Sequence, residues 1–463
     1  MTRIHSVIAT MFLLSICTIS ETAFAEVNAA EVDAAKTTLM KSIAIPTVAG
    51  RGRVPELAAY YAGILRDAGF AEDDIVITPN GETATLAATL RGREASSPPI
   101  LLSGHMDVVE ADPADWERDP FIPVEEDGYV FGRGSSDNKF GVAMIITTLA
   151  KLKREGYRPR QDVIMVLSGD EETSMVTTQA LAETYRGAEM VLNCDGGGGT
   201  LGDDGVARYY QMQAAEKTYV DFQLEFTNPG GHSSRPSKPN AITQLANALV
   251  RLGAYDFAPQ FSELTAASLR GMGSQVDPEL GTAMLRIVDN PNDAEALAII
   301  RNNPEYIGQI GTTCVATMVS AGHAMNALPQ RATANINCRV FPGVSMDELR
   351  AELTSVIADS SGQLTVMEQP SVSPASPLRE DVMDAVSEAV YATYPGLTFF
   401  PSMSAYGTDS THFRAAGIPS YGTSGLFMRP ADDFTHGLNE RTPVSAIPGA
   451  LVHWDVLIRK LTR

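Results

Sequence analysis

The sequence predicts an α/β protein, a mostly parallel sheet with helices on both faces, into which a smaller α+β unit is inserted. Three observations carry this. Short apolar runs such as Ile100-Leu101-Leu102 and 162–167 are bounded by proline, glycine or acid, as strands buried on both faces are. Stretches of helical spacing lie between them, which is what parallel strands need for their crossovers. From residue 219 the period switches to two and the order becomes strand-helix-strand-strand-helix-strand, a split βαβ arrangement.

At 463 residues the chain has length for two or three domains. Hydrophobic residues at 44% and charged residues at 20% are the composition of a soluble globular protein. The net charge of −21, from 35 basic and 56 acidic residues, opposes phosphate backbones and anionic membranes, so neither nucleic acid nor a membrane surface is an expected partner. Arg3 and His5 precede an apolar run over 7–19, and Ala23-Phe24-Ala25 supplies the small residues a signal peptidase reads. Export is therefore expected, with cleavage near Ala25, to the periplasm or beyond it. Cys194, Cys314 and Cys338 then remain in a compartment that permits disulfides. Cys314 and Cys338 fall on two expected strands and can pair, but two separate buried thiols are the expectation.

In chain order, 29–43 is an amphipathic helix stopped by Pro46, 55–68 a second helix ended by Gly69, and 75–78 and 84–90 are strands. The strand at 100–102 runs into His105-Met106-Asp107. A hairpin around 125–128 follows, then a glycine-rich turn, 132–137, that opens a helix reaching about Glu155. The strand 162–167 ends in Gly169-Asp170-Glu171-Glu172, and 190–192 ends at Cys194-Asp195. In the insert, 219–226, 313–319, 332–340 and 363–367 are strands, and 241–252 and 346–357 are helices. About fifty further residues, 254–310, carry mixed helical pieces and several prolines with no assigned role. From Pro377 the first pattern resumes, with a helix to Tyr391, a strand near 397–400 and a last helix ending near Leu461. The expected division is a signal segment, 1–25, a catalytic unit, 26–213 with 371–463, and an inserted lid or dimerisation unit, 214–370.

Ligands of open α/β sheets bind at the carboxyl ends of the strands. The pattern delivers His105, Glu172 and Asp195 there, with Asp137 at a helix start and His436 near the chain end. Two imidazoles and three carboxylates suit two zinc ions sharing one carboxylate, each ion keeping three protein ligands and an open position. Cobalt or manganese would fit the same donors. Asp107, two residues past His105, can orient its imidazole, and Glu171, beside Glu172, is placed as a general base. Singly, each residue has a plainer role: a helix-start aspartate caps, paired glutamates line a solvated turn, and a late histidine sits on the surface.

Together these residues resemble the zinc exopeptidase and deacylase family of carboxypeptidase G, aminoacylase, acetylornithine deacetylase, succinyl-diaminopimelate desuccinylase and yeast carboxypeptidase S. The matching motifs are SGHMDVV (103–109), GRGSSDNKFG (132–141), SGDEET (168–173), NCDGG (193–197), GGHSSRP (230–236), NALP (326–329), NCRVFPG (337–343) and THGLNE (435–440). The resemblance implies that His105, Asp137 and Asp195 hold one zinc and Asp137, Glu172 and His436 the other. It also implies that Asp107 orients His105 and that Glu171 is general base and then acid. His232 matches the family's oxyanion-stabilising histidine, often lent to a neighbouring subunit, which implies a homodimer formed through the insert. Arg339 stands beside Cys338, where the family more often carries aspartate. It matches the arginine that grips the substrate's free carboxylate, and Asn326 matches an asparagine of the same pocket. A guanidinium suits bidentate carboxylate binding; the plain alternative is a salt bridge on the strand face. The length of 254–310 resembles the lids of carboxypeptidase S and secreted N-acyl amino acid hydrolases.

The implied reaction is hydrolysis of an amide or peptide bond beside a free carboxylate, as carboxypeptidase or N-acyl amino acid amidohydrolase. A dizinc aminopeptidase or dipeptidase is the alternative, and Arg339 counts against a grip on a free amine. A non-catalytic protein of this fold would be expected to lose ligands or the base, and all six stand.

Overall fold

The computed structural model describes residues 27–94 and 96–463; the expected signal segment lies outside them. At the centre of the large sheet four strands run parallel in the order Val163–Ser168, Ile100–His105, Met190–Asn193, Ser420–Gly422. The first three are buried along their whole length, so their apolar runs are continuous and do not alternate with polar residues. The side chains still sort by period two. Ile100 and Leu102 enter the core under helices Ala29–Ile43, Lys139–Arg154 and Ala446–Leu461, while Leu101 meets Leu181 and Phe413 on the opposite face. Antiparallel strands Ile75–Asn80 and Thr83–Leu90 extend one side, and Ala207–Glu216 and Gly198–Leu201 the other. Thr398–Ser404 pairs in parallel with Ala207–Glu216.

Local chemistry sets the helix ends. Asn28 and Glu31 form a reciprocal capping box for Ala29–Ile43. At that helix's other end, Lys139 is buried and its Nζ donates to the carbonyls of Ser42 and Ile45 at 2.9 Å each, fastening the chain just past the helix end. In the expected hairpin, Asp127 and Gly128 take positive φ of 51° and 81°, as a two-residue turn demands.

The split βαβ order is realised as an antiparallel sheet, Thr313–Ala321, Arg331–Val340, Thr218–Thr227, Gln363–Val366. Helices Ala241–Gly253 and Met346–Ile357 pack on it through Leu245, Leu252, Leu349 and Leu353, against Phe222, Leu224 and Ile336. The stretch 254–310 folds into helices Glu263–Met272, Pro278–Asp289 and Ala294–Arg301. Their core closes over Phe400 and Tyr209, so this stretch rests on the large sheet.

Strand Ala207–Glu216 passes into Thr218–Thr227 through one residue, Lys217. Lys217 is buried; its Nζ donates to the Gly311 carbonyl at 2.7 Å and Thr313 Oγ1 at 3.2 Å, and its backbone N–H donates to Ser404. The returning chain crosses beside it, Ser376 N–H bonding the Ala214 carbonyl at 2.8 Å.

One expectation is corrected. Cys314 and Cys338 are register partners on adjacent antiparallel strands, 4.1 Å apart at Cα, and form a disulfide; only Cys194, buried, is free among the described residues. Side-by-side placement on paired strands brings the two sulfurs within bonding reach, and strand register is what the sequence alone could not supply.

Candidate metal centre

His105 closes its strand in register with Ser168, so the 169–172 loop begins beside the imidazole. Asp195 follows the neighbouring strand Met190–Asn193, and Asp137 ends the glycine-rich turn before helix Lys139–Arg154. These elements bring all five predicted ligands together. His105 Nε2 lies 2.9 Å from Asp137 Oδ1 and 3.7 Å from Asp195 Oδ1. His436 Nε2 lies 3.0 Å from Asp137 Oδ2 and 3.1 Å from Glu172 Oε1. The two oxygens of Asp137 thus face different imidazoles, the disposition of a carboxylate shared between two sites. Three ligand groups, His105-Asp137-Asp195, Asp137-Glu172-His436 and His105-Glu171-Glu172, each place their donor atoms within 4.8 Å of one another.

Asp107 behaves differently from expectation in one respect. His105 Nδ1 is 3.0 Å from the main-chain carbonyl of Asp107 and 3.6 Å from its carboxylate. The carboxylate instead accepts the backbone N–H groups of Glu171 and Glu172, at 3.1 and 3.0 Å. Asp107 therefore orients the imidazole chiefly through its backbone, and its side chain fixes where the two glutamates stand. Asp170, not singled out from the sequence, caps the far side of that loop by accepting N–H from Val176 and Thr177 at 2.9 and 3.0 Å. Gly104 leaves the space: a Cβ there would meet Asn138 Oδ1 and Cys194 Sγ at 2.6 Å.

The electrostatics call for cations. Among the described residues, no lysine or arginine forms an ion pair with Asp137, Glu171, Glu172 or Asp195. Burial, then the charge of Asp137, pushes Asp195 up to about 8, and burial pushes Glu171 well above the usual carboxylate range. Hydrogen bonds to Asp137 and Glu172 push His436 up to about 10. Four carboxylates beside two imidazoles match two divalent cations in charge, and the oxygen and imidazole donors match the ligands such ions take. The donor set fits a dinuclear metal site.

Residues 101–460 match peptidase family M20/M25/M40. The chain belongs to that family. It is similar to an N-fatty-acyl-amino acid synthase/hydrolase of Homo sapiens, 29% identical over 371 residues that cover 77% of this chain and 73% of the relative. A probable carboxypeptidase S-like protein of Dictyostelium discoideum is 25% identical over 375 residues, covering 78% and 71%. Among solved structures, an M20 family metallo-carboxypeptidase from Sulfolobus solfataricus superposes with a TM-score of 0.69 at 19% identity, covering 92% of this chain and 98% of that one. As a member of family M20, the chain is a metal-dependent hydrolase, and its relatives lie in the branch that the sequence motifs and insert length indicated.

The remaining predicted residues lie on the small sheet's unit. Gly231–His232 pairs with Ala327–Leu328, and Ser233 N–H donates to the Asn326 carbonyl at 3.0 Å, so His232 and Asn326 are neighbours. Both are exposed, and among the described residues neither bonds to the metal-site cluster. Arg339 lies across the ring of Tyr219, 4.7 Å from its centroid, and donates to the Ala405 carbonyl at 3.3 Å. It makes no ion pair within 4.0 Å among the described residues, though the charge of Asp221 acts on it. Among the described residues no helix is long and apolar enough to cross a membrane.

Proposed function

We propose that this protein is a dizinc hydrolase cleaving an amide or peptide bond next to a free carboxylate, as a carboxypeptidase or an N-acyl amino acid amidohydrolase. The observation that carries the proposal is Asp137 presenting one oxygen to His105 and the other to His436, with Glu171 buried alongside. His105, Asp137 and Asp195 hold one ion; Asp137, Glu172 and His436 the other. When bound, the ions polarise the scissile carbonyl and make water a better acid. The chain's residues do the rest. Glu171 takes the water's proton and returns it to the leaving nitrogen, held in place by Asp107 beneath its backbone. Arg339, which forms no ion pair among the described residues, receives the substrate's carboxylate, with Asn326 in the same pocket. His232 stabilises the developing oxyanion in a neighbouring subunit, which requires a homodimer through an inserted unit spanning 214–370. The acidic surface and the leader expected over 1–25 fit an exported enzyme.

The test is a panel of N-acyl amino acids and dipeptides offered to zinc-reconstituted protein, with metal counted on the same sample. Turnover confined to substrates with a free carboxylate, and two ions per chain, is expected. Fewer than one ion per chain, or preference for free-amine substrates blocked at the carboxylate, would overturn the proposal.

A further inference from the structure

Glu440 ends the THGLNE motif and has no part in the roles above, yet it is fully buried and its carboxylate accepts five hydrogen bonds. Oε2 takes Arg133 Nη1 at 2.7 Å and Gly134 N–H at 2.9 Å. Oε1 takes Ser136 N–H and Oγ, both at 2.8 Å, and Asp137 N–H at 3.1 Å. All five donors lie in the turn that ends at Asp137, while Glu440 itself lies four residues past His436. Arg133 reaches back, its Nη2 donating to the Gly437 carbonyl at 3.1 Å. Each loop therefore carries one metal-site residue and grips the other loop with a charged side chain. His436 needs such a grip: its φ is +60°, a region L residues occupy only where their surroundings impose it.

We infer that Glu440, with Arg133, is a positioning residue that sets the separation of Asp137 and His436 and thereby the affinity of the ion they share. The inference rests on reading Asp137, Glu172 and His436 as one ligand set. It separates from an ordinary buried ion pair by what it must move. Glu440→Gln is nearly isosteric, but four of the five partners can only donate, so an amide nitrogen at either position finds no acceptor except the Ser136 hydroxyl. Loss of an outer-shell partner weakens metal binding by about 10–100-fold.

The experiment is zinc titration of full-length processed protein, wild type and Glu440→Gln, in chelator-buffered zinc, with thermal unfolding of metal-free and loaded forms. Wild type is expected to hold two ions and the variant to bind the second about 10–100-fold more weakly. The Tm rise on loading should shrink in the variant, whereas a purely structural role would lower both Tm values equally. Two ions bound with unchanged affinity by the variant would overturn the inference alone; a wild type that binds fewer than two would overturn the ligand reading with it. Should Glu440→Gln not fold, Ser136→Ala removes only the hydroxyl bond, keeps the other four and decides the matter: several-fold weaker binding of the second ion supports the inference, unchanged binding ends it.

Discussion

Replacing Glu171 with glutamine tests the catalytic assignment most directly, because the structure specifies what should change and what should not. The Glu171 side chain is buried, with an oxygen in the same 4.8 Å group as donors of His105 and Glu172, while its backbone N–H is held by Asp107. Among the described residues nothing donates to its carboxylate, so the amide removes a proton acceptor without orphaning a partner. Turnover should fall by about 10²–10⁴-fold, the usual range for a general base. At 1.36 kcal/mol per tenfold that is roughly 3–5 kcal/mol of barrier. Stability should move the other way. Burial holds the Glu171 carboxyl well above its ordinary value, so in metal-free protein its ionisation costs stability as pH rises above the unfolded value, and glutamine lifts that cost. The metal-free variant at pH 8 is thus expected to unfold no earlier than wild type. Steady-state kinetics, metal counting and thermal unfolding on one preparation read all three. Turnover within about threefold of wild type with both ions present would refute the base assignment, and loss of an ion would move Glu171 among the ligands.

Arg339→Met should lower kcat/KM by about 10–100-fold on substrates with a free carboxylate, the worth of a hydrogen-bonded charge pair, and leave the corresponding carboxamides nearly unaffected; equal losses on both would show that Arg339 only supports the fold. Mixing inactive His232→Ala with inactive Glu171→Gln protein should restore activity once subunits exchange, since each mixed dimer then holds one intact site, and exchanged mixtures that stay inactive would place His232 in its own chain's site. His453 is buried with Nε2 at 2.8 Å from Thr423 Oγ1, and burial lowers its pKa to about 3. Between pH 6.5 and 3 the unfolded chain binds a proton there that the fold refuses, so stability present above 6.5 is lost as pH falls, by up to about 5 kcal/mol. His453→Gln should flatten urea-unfolding stability over pH 4–6.5, and an unchanged slope would mean other groups control acid unfolding.

The candidate metal site was legible because four of its five predicted ligands sit next to a signal that survives in one dimension, an apolar strand stopping abruptly or a glycine-rich turn opening a helix, while His436 stood out only within the THGLNE motif. Helix limits such as Ala29–Ile43 and Met346–Ile357 were readable for the same reason, since caps and spacing are local. What went unread depended on contacts distant in sequence. Strand Ala207–Glu216 is buried on both faces over its last half, and its alternation is confined to a few residues at 210–214. Ser420–Gly422 and Phe427–Met428 are too short to announce themselves and exist through parallel pairing with strands more than two hundred residues earlier. The disulfide needed the register of Thr313–Ala321 against Arg331–Val340. Glu440 looked like one acid among many because its five donors stand some three hundred residues away.

The single-residue crossing at Lys217 has a mechanical meaning. Strand Thr218–Thr227 leaves it as a stiff ten-residue arm, about 33 Å long at the usual rise per residue. Each degree of rotation at the crossing carries the far end through roughly 0.6 Å by that geometry. The Gly231–His232 ladder lies beyond that end, so any rotation of the small sheet about the crossing would move it farther than it moves the Lys217 bonds to Gly311 and Thr313. The same crossing that ties the small sheet to the large one is therefore the point about which the position of His232 is most sensitive to angle.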